Sequence, residues 1–171
     1  MGQHELRKKL AFASADIFGG GSFNIINFLY PGFLALTVGV NPFWISFIML
    51  VARIWDAVTD PVMGYISDHT RSKFGKRRIY FLISGPLVLL GMYFLFFPFA
   101  FPAEITRVIA ALLAYLVFTL IQTSIMIPYY SLSSEISSDY QKLSSYNSYR
   151  LAFSIFASIL CVAVPGIIVG L

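Results

Sequence analysis

Charge is scarce in this sequence, and its absences are long. Only 12% of the 171 residues are Asp, Glu, Lys or Arg, where soluble domains carry about 25%. Charge-free stretches cover 17–52, 79–103, 108–134 and 151–171, each at least about as long as the ~20 residues that cross a bilayer as a helix. With 58% hydrophobic residues and 17% aromatics, the chain carries more apolar surface than a soluble core of this size consumes. A water-soluble fold is excluded.

Cysteine and histidine are nearly missing too. The one cysteine, Cys161, cannot form an internal disulfide and says nothing about redox compartment. His4 and His69 are peripheral, and no metal or nucleophile constellation gathers around them, so neither an enzyme nor a bound cofactor is expected. A secretory signal would give way to a polar mature chain, whereas here the hydrophobic segments continue to the end. The net charge of +4 does not mark a nucleic-acid binder, because the basic residues cluster beside apolar runs rather than on a soluble face. The partner they imply is the lipid bilayer.

What the sequence does have is five apolar runs. They predict an all-α membrane protein with spans over 10–36, 42–66, 79–101, 105–131 and 149–170, with loops 67–78 and 132–148 on one side. Arg7, Lys8 and Lys9 precede the first span, Arg71, Lys73, Lys76, Arg77 and Arg78 occupy the first loop, and Lys142 lies in the second. The opposite connections hold only Arg107. The positive-inside rule then makes the N-terminus and both basic loops cytoplasmic, in a plasma or inner membrane. Five spans that stop in the apolar run 162–171 read as a fragment or a truncated gene. A small complete protein that oligomerises is the alternative.

An ionisable residue at the centre of a span costs roughly 2.5–3.5 kcal/mol on insertion scales, so it points to function. Arg53, Asp56 and Asp60 are spaced i, i+3, i+7 and form one polar stripe, with Thr59 and Gly64 close to the same line. Two carboxylates a turn apart repel each other unless a cation shares them, so the pair is a candidate trap for Na⁺ or for a proton, with Arg53 as counter-charge. A static Arg–Asp pair locking two helices is the bland alternative. Asp16 precedes Gly19-Gly20-Gly21 and lies in line with Asn24 and Asn27, which suggests a face that meets a polar solute; hydration near the cytoplasmic end explains Asp16 equally. In the fourth span Gln122 and Thr123 can offer oxygens to the same cavity, or simply bond back to the helix.

The stretch Asp56-Ala-Val-Thr-Asp-Pro-Val-Met-Gly-Tyr-Ile-Ser-Asp-His-Thr-Arg-Ser-Lys-Phe-Gly-Lys-Arg-Arg closely resembles the signature of the glycoside–pentoside–hexuronide:cation symporters. These form a branch of the major facilitator superfamily that includes melibiose permease. A second stretch, Pro128 to Tyr140 and on through Tyr146 to Arg150, resembles the family's connection between spans four and five. The resemblance implies a twelve-span transporter of two six-helix halves. This chain would supply most of the first half, and the remaining half would lie downstream or on a second chain. It implies that Asp56, Asp60 and Thr123 bind the coupling cation, with Arg53 beside them. By residue type, Asp16, Asn24, Asn27 and Gln122 are the candidates to face the solute. Gly64, Asp68, Arg71, Gly75, Arg77, Arg78, Glu135, Asp139 and Arg150 are the candidates for a cytoplasmic gate; setting topology and binding anionic lipid is the alternative for the loop charges. Met126 stands where melibiose permease has a sugar-binding aspartate, which argues against galactoside recognition. The expected function is Na⁺- or H⁺-coupled symport of a sugar or another small polar or amphipathic solute; a non-transporting scaffold or assembly subunit derived from a transporter half is the alternative.

The orientation is open to direct test. A reporter fused after Lys76 is expected to read out a cytoplasmic location, since that loop holds most of the inward positive charge; a signal from the other side would reverse the topology.

Overall fold

The computed structural model describes residues 3–73, 77–136 and 140–169, and every regular element among them is helical. Helix α1 (Gln3–Ser14) leads through α2 (Asp16–Asn24), a π-helical turn at Ile25–Leu29, α3 (Tyr30–Phe33) and a second π-helical turn at Leu34–Val38. Helices α4 (Pro42–His69), α5 (Arg78–Leu95), α6 (Glu104–Ile136) and α7 (Tyr140–Val169) follow. Glu5–Val38, Pro42–His69, Glu104–Leu132 and Tyr140–Pro165 are each long and apolar enough to cross a membrane. The 18 residues of α5 rise about 27 Å, close to the ~30 Å hydrocarbon core. Large apolar side chains such as Leu36, Leu89, Ile109 and Ile159 are exposed, as a lipid-facing surface requires and water would not tolerate.

Several expected boundaries need correction. The third span, expected over 79–101, is helical only to Leu95. Pro98 and Pro102 bias the residues before them to extended backbone, and residues 96–103 leave the helix despite their aromatic, apolar character. The loop expected over 132–148 is mostly helix, because α6 continues to Ile136 and α7 begins at Tyr140. The polar composition there marks a change of surroundings rather than the end of a helix. Similarly α4 runs on to His69, past the expected limit at 66. Lys9, expected as an anchoring charge ahead of the first span, lies within α1 and is buried. Its Nζ donates to Ser145 Oγ at 2.7 Å and stands 5.7 and 5.9 Å from the ring centroids of Tyr146 and Tyr149, a cation–π arrangement that compensates a desolvated ammonium.

The helix ends are closed by side chains. Gly39 takes the left-handed conformation, φ 69°, after Val38, the usual site of glycine beyond a helix C-terminus. There Arg107 Nη1 donates to the Val38 carbonyl at 2.6 Å, placing a guanidinium at the negative end of the helix. Pro42 opens α4, where its missing N–H costs nothing. The Asn41 side chain caps it by accepting from the Phe43 N–H at 2.9 Å.

The chain divides into two compact units, Met1–Pro31 with Ser133–Leu171, and Gly32–Leu132. In the first, the α1–α2 segment and α7 run in the same direction with one constant offset of 134 residues. Phe12 meets Tyr146 edge-on at 5.8 Å, Asp16 pairs with Arg150, Gly20 lies against Ser154, and Asn24 Nδ2 donates to Ser158 Oγ at 2.7 Å. Every step is four residues on both helices, which is ridge-into-groove packing of two i±4 rows. At Gly20 the backbones approach most closely: a Cβ there would stand 2.5 Å from the Ser154 carbonyl oxygen and 2.9 Å from its Cα. Neither atom can swing aside.

In the second unit α4 and α6 also run in the same direction, at an offset of 63 residues. The Asn41 N–H donates to Glu104 Oε1 at 2.9 Å, Thr123 bonds Asp60, and Gly64 faces Ile127. α5 carries the chain back between them.

Gly20→Ala is expected to destabilise the α2–α7 packing by about 1–3 kcal/mol, the usual cost of overpacking. Gly32→Ala, where a Cβ meets nothing within 4 Å, should change little. Thermal unfolding of both variants in detergent checks the difference.

Candidate cation site

Arg53, Asp56 and Asp60 share one face of α4 because steps of three and four residues return to the same side. The α4–α6 register brings that face to Tyr115, Thr119 and Thr123, spaced by four on α6. Thr123 Oγ1 donates to Asp60 Oδ1 at 3.0 Å, and Thr119 stands beside the Asp56 carboxylate. Arg53 Nη1 lies 3.9 Å from Asp56 Oδ2, and Tyr115 is within electrostatic reach of both Arg53 and Asp56. Tyr115, Thr119 and Thr123 are buried. Asp56 Oδ1 is buried as well, with no hydrogen-bond partner among the described residues. Pro61 lacks the N–H that would bond the Ala57 carbonyl, so α4 frees one more backbone oxygen between the two acids.

This is a set of hard oxygen donors with two carboxylates against one guanidinium. It fits a monovalent cation or a proton and offers little to a soft metal. A cleft of about 520 Å³ also opens beside α5 and α6, but Leu90, Gly91, Phe94, Leu113 and Val117 line it, and apolar groups give an ion no ligand. Thr59, close to the stripe in sequence, spends its hydroxyl on the Trp55 carbonyl at 3.0 Å.

Residues 11–171 match the family model described as MFS/sugar transport protein. The chain belongs to that family. Its helices are accordingly part of the N-terminal half of a major facilitator fold, and it is an integral membrane protein. The sodium-dependent lysophosphatidylcholine symporter 1-B of Danio rerio is 29% identical over 178 residues, which cover 100% of this chain and 34% of the relative. An uncharacterized symporter of Synechocystis is 30% identical, covering 94% of this chain and 31% of the relative. An Escherichia coli protein provisionally named a glycoside/cation symporter is 27% identical over 98% of this chain and 35% of its own length. This MFS family member therefore spans about a third of the length of the curated relatives it matches.

Of the residues expected to face the solute, Asp16, Asn24 and Asn27 belong to the first unit and Gln122 to the second. Asp16 is buried, its Oδ2 3.8 Å from Arg150 Nε, and Ser154 lies against the same carboxylate. Asn24 bonds the Gly20 carbonyl and Ser158, so it joins two helices. Asn27 Nδ2 donates to the Phe23 carbonyl inside a π-helical turn, and Gln122 is half-buried on α6. Of the residues expected at the gate of this MFS chain, Asp68 Oδ1 pairs with Arg77 Nη2 at 3.1 Å, Arg71 is exposed, and Gly64 packs near Ile127. Arg150, expected at the gate, pairs instead with the supposed solute residue Asp16. Gly75 and Asp139 lie outside the described residues, as do the side chains of Arg78 and Glu135. Sequence reasoning missed Thr119 and Tyr115. The signal was their spacing of four from Thr123, hidden inside a run that reads as uniformly apolar.

The Asp68–Arg77 pair is exposed on its acidic side, and such pairs contribute at most about 1 kcal/mol. Asp68→Asn should therefore unfold almost as wild type in a thermal melt, and a loss well beyond that size would mean that the loop carries part of the fold's stability.

Proposed function

We propose that this chain forms the cation-binding part of a secondary transporter, in which Na⁺ or H⁺ held by Asp56, Asp60 and Thr123 drives symport of a small polar or amphipathic solute. The observation that carries the reading is the pairing of both α4 carboxylates with α6 hydroxyls while one buried carboxylate oxygen is left without a partner. A pair of half-buried acids next to a single Arg is costly when empty and relaxed when a cation sits between them. Coupling follows if one conformation holds the ion better than the other, because an ion shifts an equilibrium only by its differential affinity. Arg53 moderates the charge of the empty site. Nothing in this scheme makes or breaks a covalent bond, in keeping with membership of a transporter family.

The names of the relatives support coupling to sodium and two very different solutes, a lysophospholipid and a glycoside, so the solute is read here only as polar or amphipathic. The rest of the translocation path would come from the other transporter half, and the basic residues near 71–78 keep the N-terminal side cytoplasmic. The Asp68–Arg77 pair and Arg71 would belong to the cytoplasmic gate of the same protein.

Uptake into vesicles under an imposed Na⁺ or pH gradient tests the scheme, with labelled lysophosphatidylcholine and a labelled glycoside as probes. Asp60→Asn and Asp56→Asn are each expected to abolish accumulation while passive exchange survives. Equal gradient-driven uptake by the double variant and wild type would reduce the pair to a structural element.

A further inference from the structure

We infer that the Thr119 hydroxyl is a ligand of the coupling cation and that it biases the site toward Na⁺ over H⁺. The inference rests on the two-carboxylate site proposed above and adds to it a residue on the facing helix. Thr119 and Asp56 occupy the same rung of the 63-residue register as Thr123 and Asp60 one turn further along, so the two rungs enclose one space. Thr119 is 5% exposed and Thr123 8%, which keeps competing water away from both oxygens.

The two hydroxyls differ in where their protons go. Thr123 gives its proton to Asp60 Oδ1. Thr119 has two acceptors in reach, the Asp56 carboxylate beside it and the Leu116 carbonyl at 3.1 Å. One hydroxyl carries one proton and two acceptor lone pairs. With the proton on the Leu116 carbonyl, the lone pairs of Thr119 Oγ1 remain available as acceptors on the rung shared with Asp56, whose Oδ1 has no hydrogen-bond partner among the described residues. The rotor thus converts from a donor to a carboxylate into a neutral oxygen ligand without any movement of the helix.

That conversion matters only for a metal ion. A proton binds a carboxylate, and a hydroxyl that donates to that carboxylate favours its ionised form, whereas a hard cation gains from each oxygen in its shell. Met126, one turn beyond Thr123, offers a thioether and no hard oxygen. The hydroxyls at Thr119 and Thr123 therefore complete a set of four oxygen-bearing side chains, of which only two can be protonated.

The test follows the Na⁺ dependence of thermal unfolding in the purified full chain, with choline chloride keeping ionic strength constant; Trp55, next to Asp56, gives a fluorescence readout of the same titration. Thr119→Val keeps the shape and removes the oxygen, and should raise the Na⁺ concentration at half-effect about tenfold or more. Thr119→Ser should return it to within about threefold of wild type, and the stabilisation by protons at zero Na⁺ should be no weaker in Thr119→Val than in wild type. Thr119→Ala, which introduces no steric conflict, is read alongside in case the valine variant does not fold. An unchanged Na⁺ midpoint in Thr119→Val or Thr119→Ala, with the response lost in Asp60→Asn, would overturn the role of Thr119 and leave the carboxylate site standing. Retention of the full Na⁺ response in Asp60→Asn would remove the carboxylate site itself, and Thr119 with it.

Discussion

The rest of the structure depends on the absence of water between its helices. A polar group on a spanning helix has to find its partner inside the protein or forfeit several kcal/mol. This chain meets that demand by register. Two pairs of helices run in the same direction, each held at a constant sequence offset, so a stripe of polar residues spaced by four on one helix faces a matching stripe on the other. Along α2 and α7 the stripe links Asp16 to Arg150 and Asn24 to Ser158; along α4 and α6 it links Asp56 to Thr119 and Asp60 to Thr123. A single shift of register would strand all of these groups at once, which makes the register itself the property under constraint.

The acidic stripe was legible in the sequence because helical periodicity is local. Arg53, Asp56 and Asp60 declare a common face with no knowledge of anything outside α4, and Thr123 entered through resemblance to the cation symporters. The facing residues were not legible in the same way. Recognising Thr119 requires knowing that position 56 lies opposite position 119, and a long-range offset leaves no mark in any local window. Lys9 shows the opposite failure. Its neighbours Arg7 and Lys8 make it look like one more charge of a basic cluster, yet Lys9 is turned inward onto Ser145 and two tyrosine rings, a choice made by α7 and invisible from α1. The early end of α5 was available from Pro98 and Pro102, but hydropathy alone carried the expected span through them.

Assigning roles from the sequence divided Asp16 and Arg150 between a solute face and a gate. The structure brings them into one ion pair at 3.8 Å, next to the glycine crossing at Gly20. Burial of an unequal charge arrangement is tolerated best when each group answers another, and the close approach at Gly20 and Gly21 is what lets a short carboxylate reach across. Helix packing and charge pairing in this unit are one feature, since a bulkier residue at Gly20 would separate the helices that the ion pair joins.

The two π-helical turns at Ile25–Leu29 and Leu34–Val38 have a consequence for the angular phase of the first span. An i→i+5 turn takes up one more residue than an α turn, and one residue is worth about 100° of rotation. Each such turn therefore rotates everything beyond it by roughly a quarter of the circumference against the direction that a strict 3.6-residue count would assign. Asn27, counted onto the same line as Asp16 and Asn24, sits inside the first of these slips and bonds its own helix at Phe23. The residues just after Leu29 are clocked differently from those before Ile25, so a single sequence stripe cannot describe both.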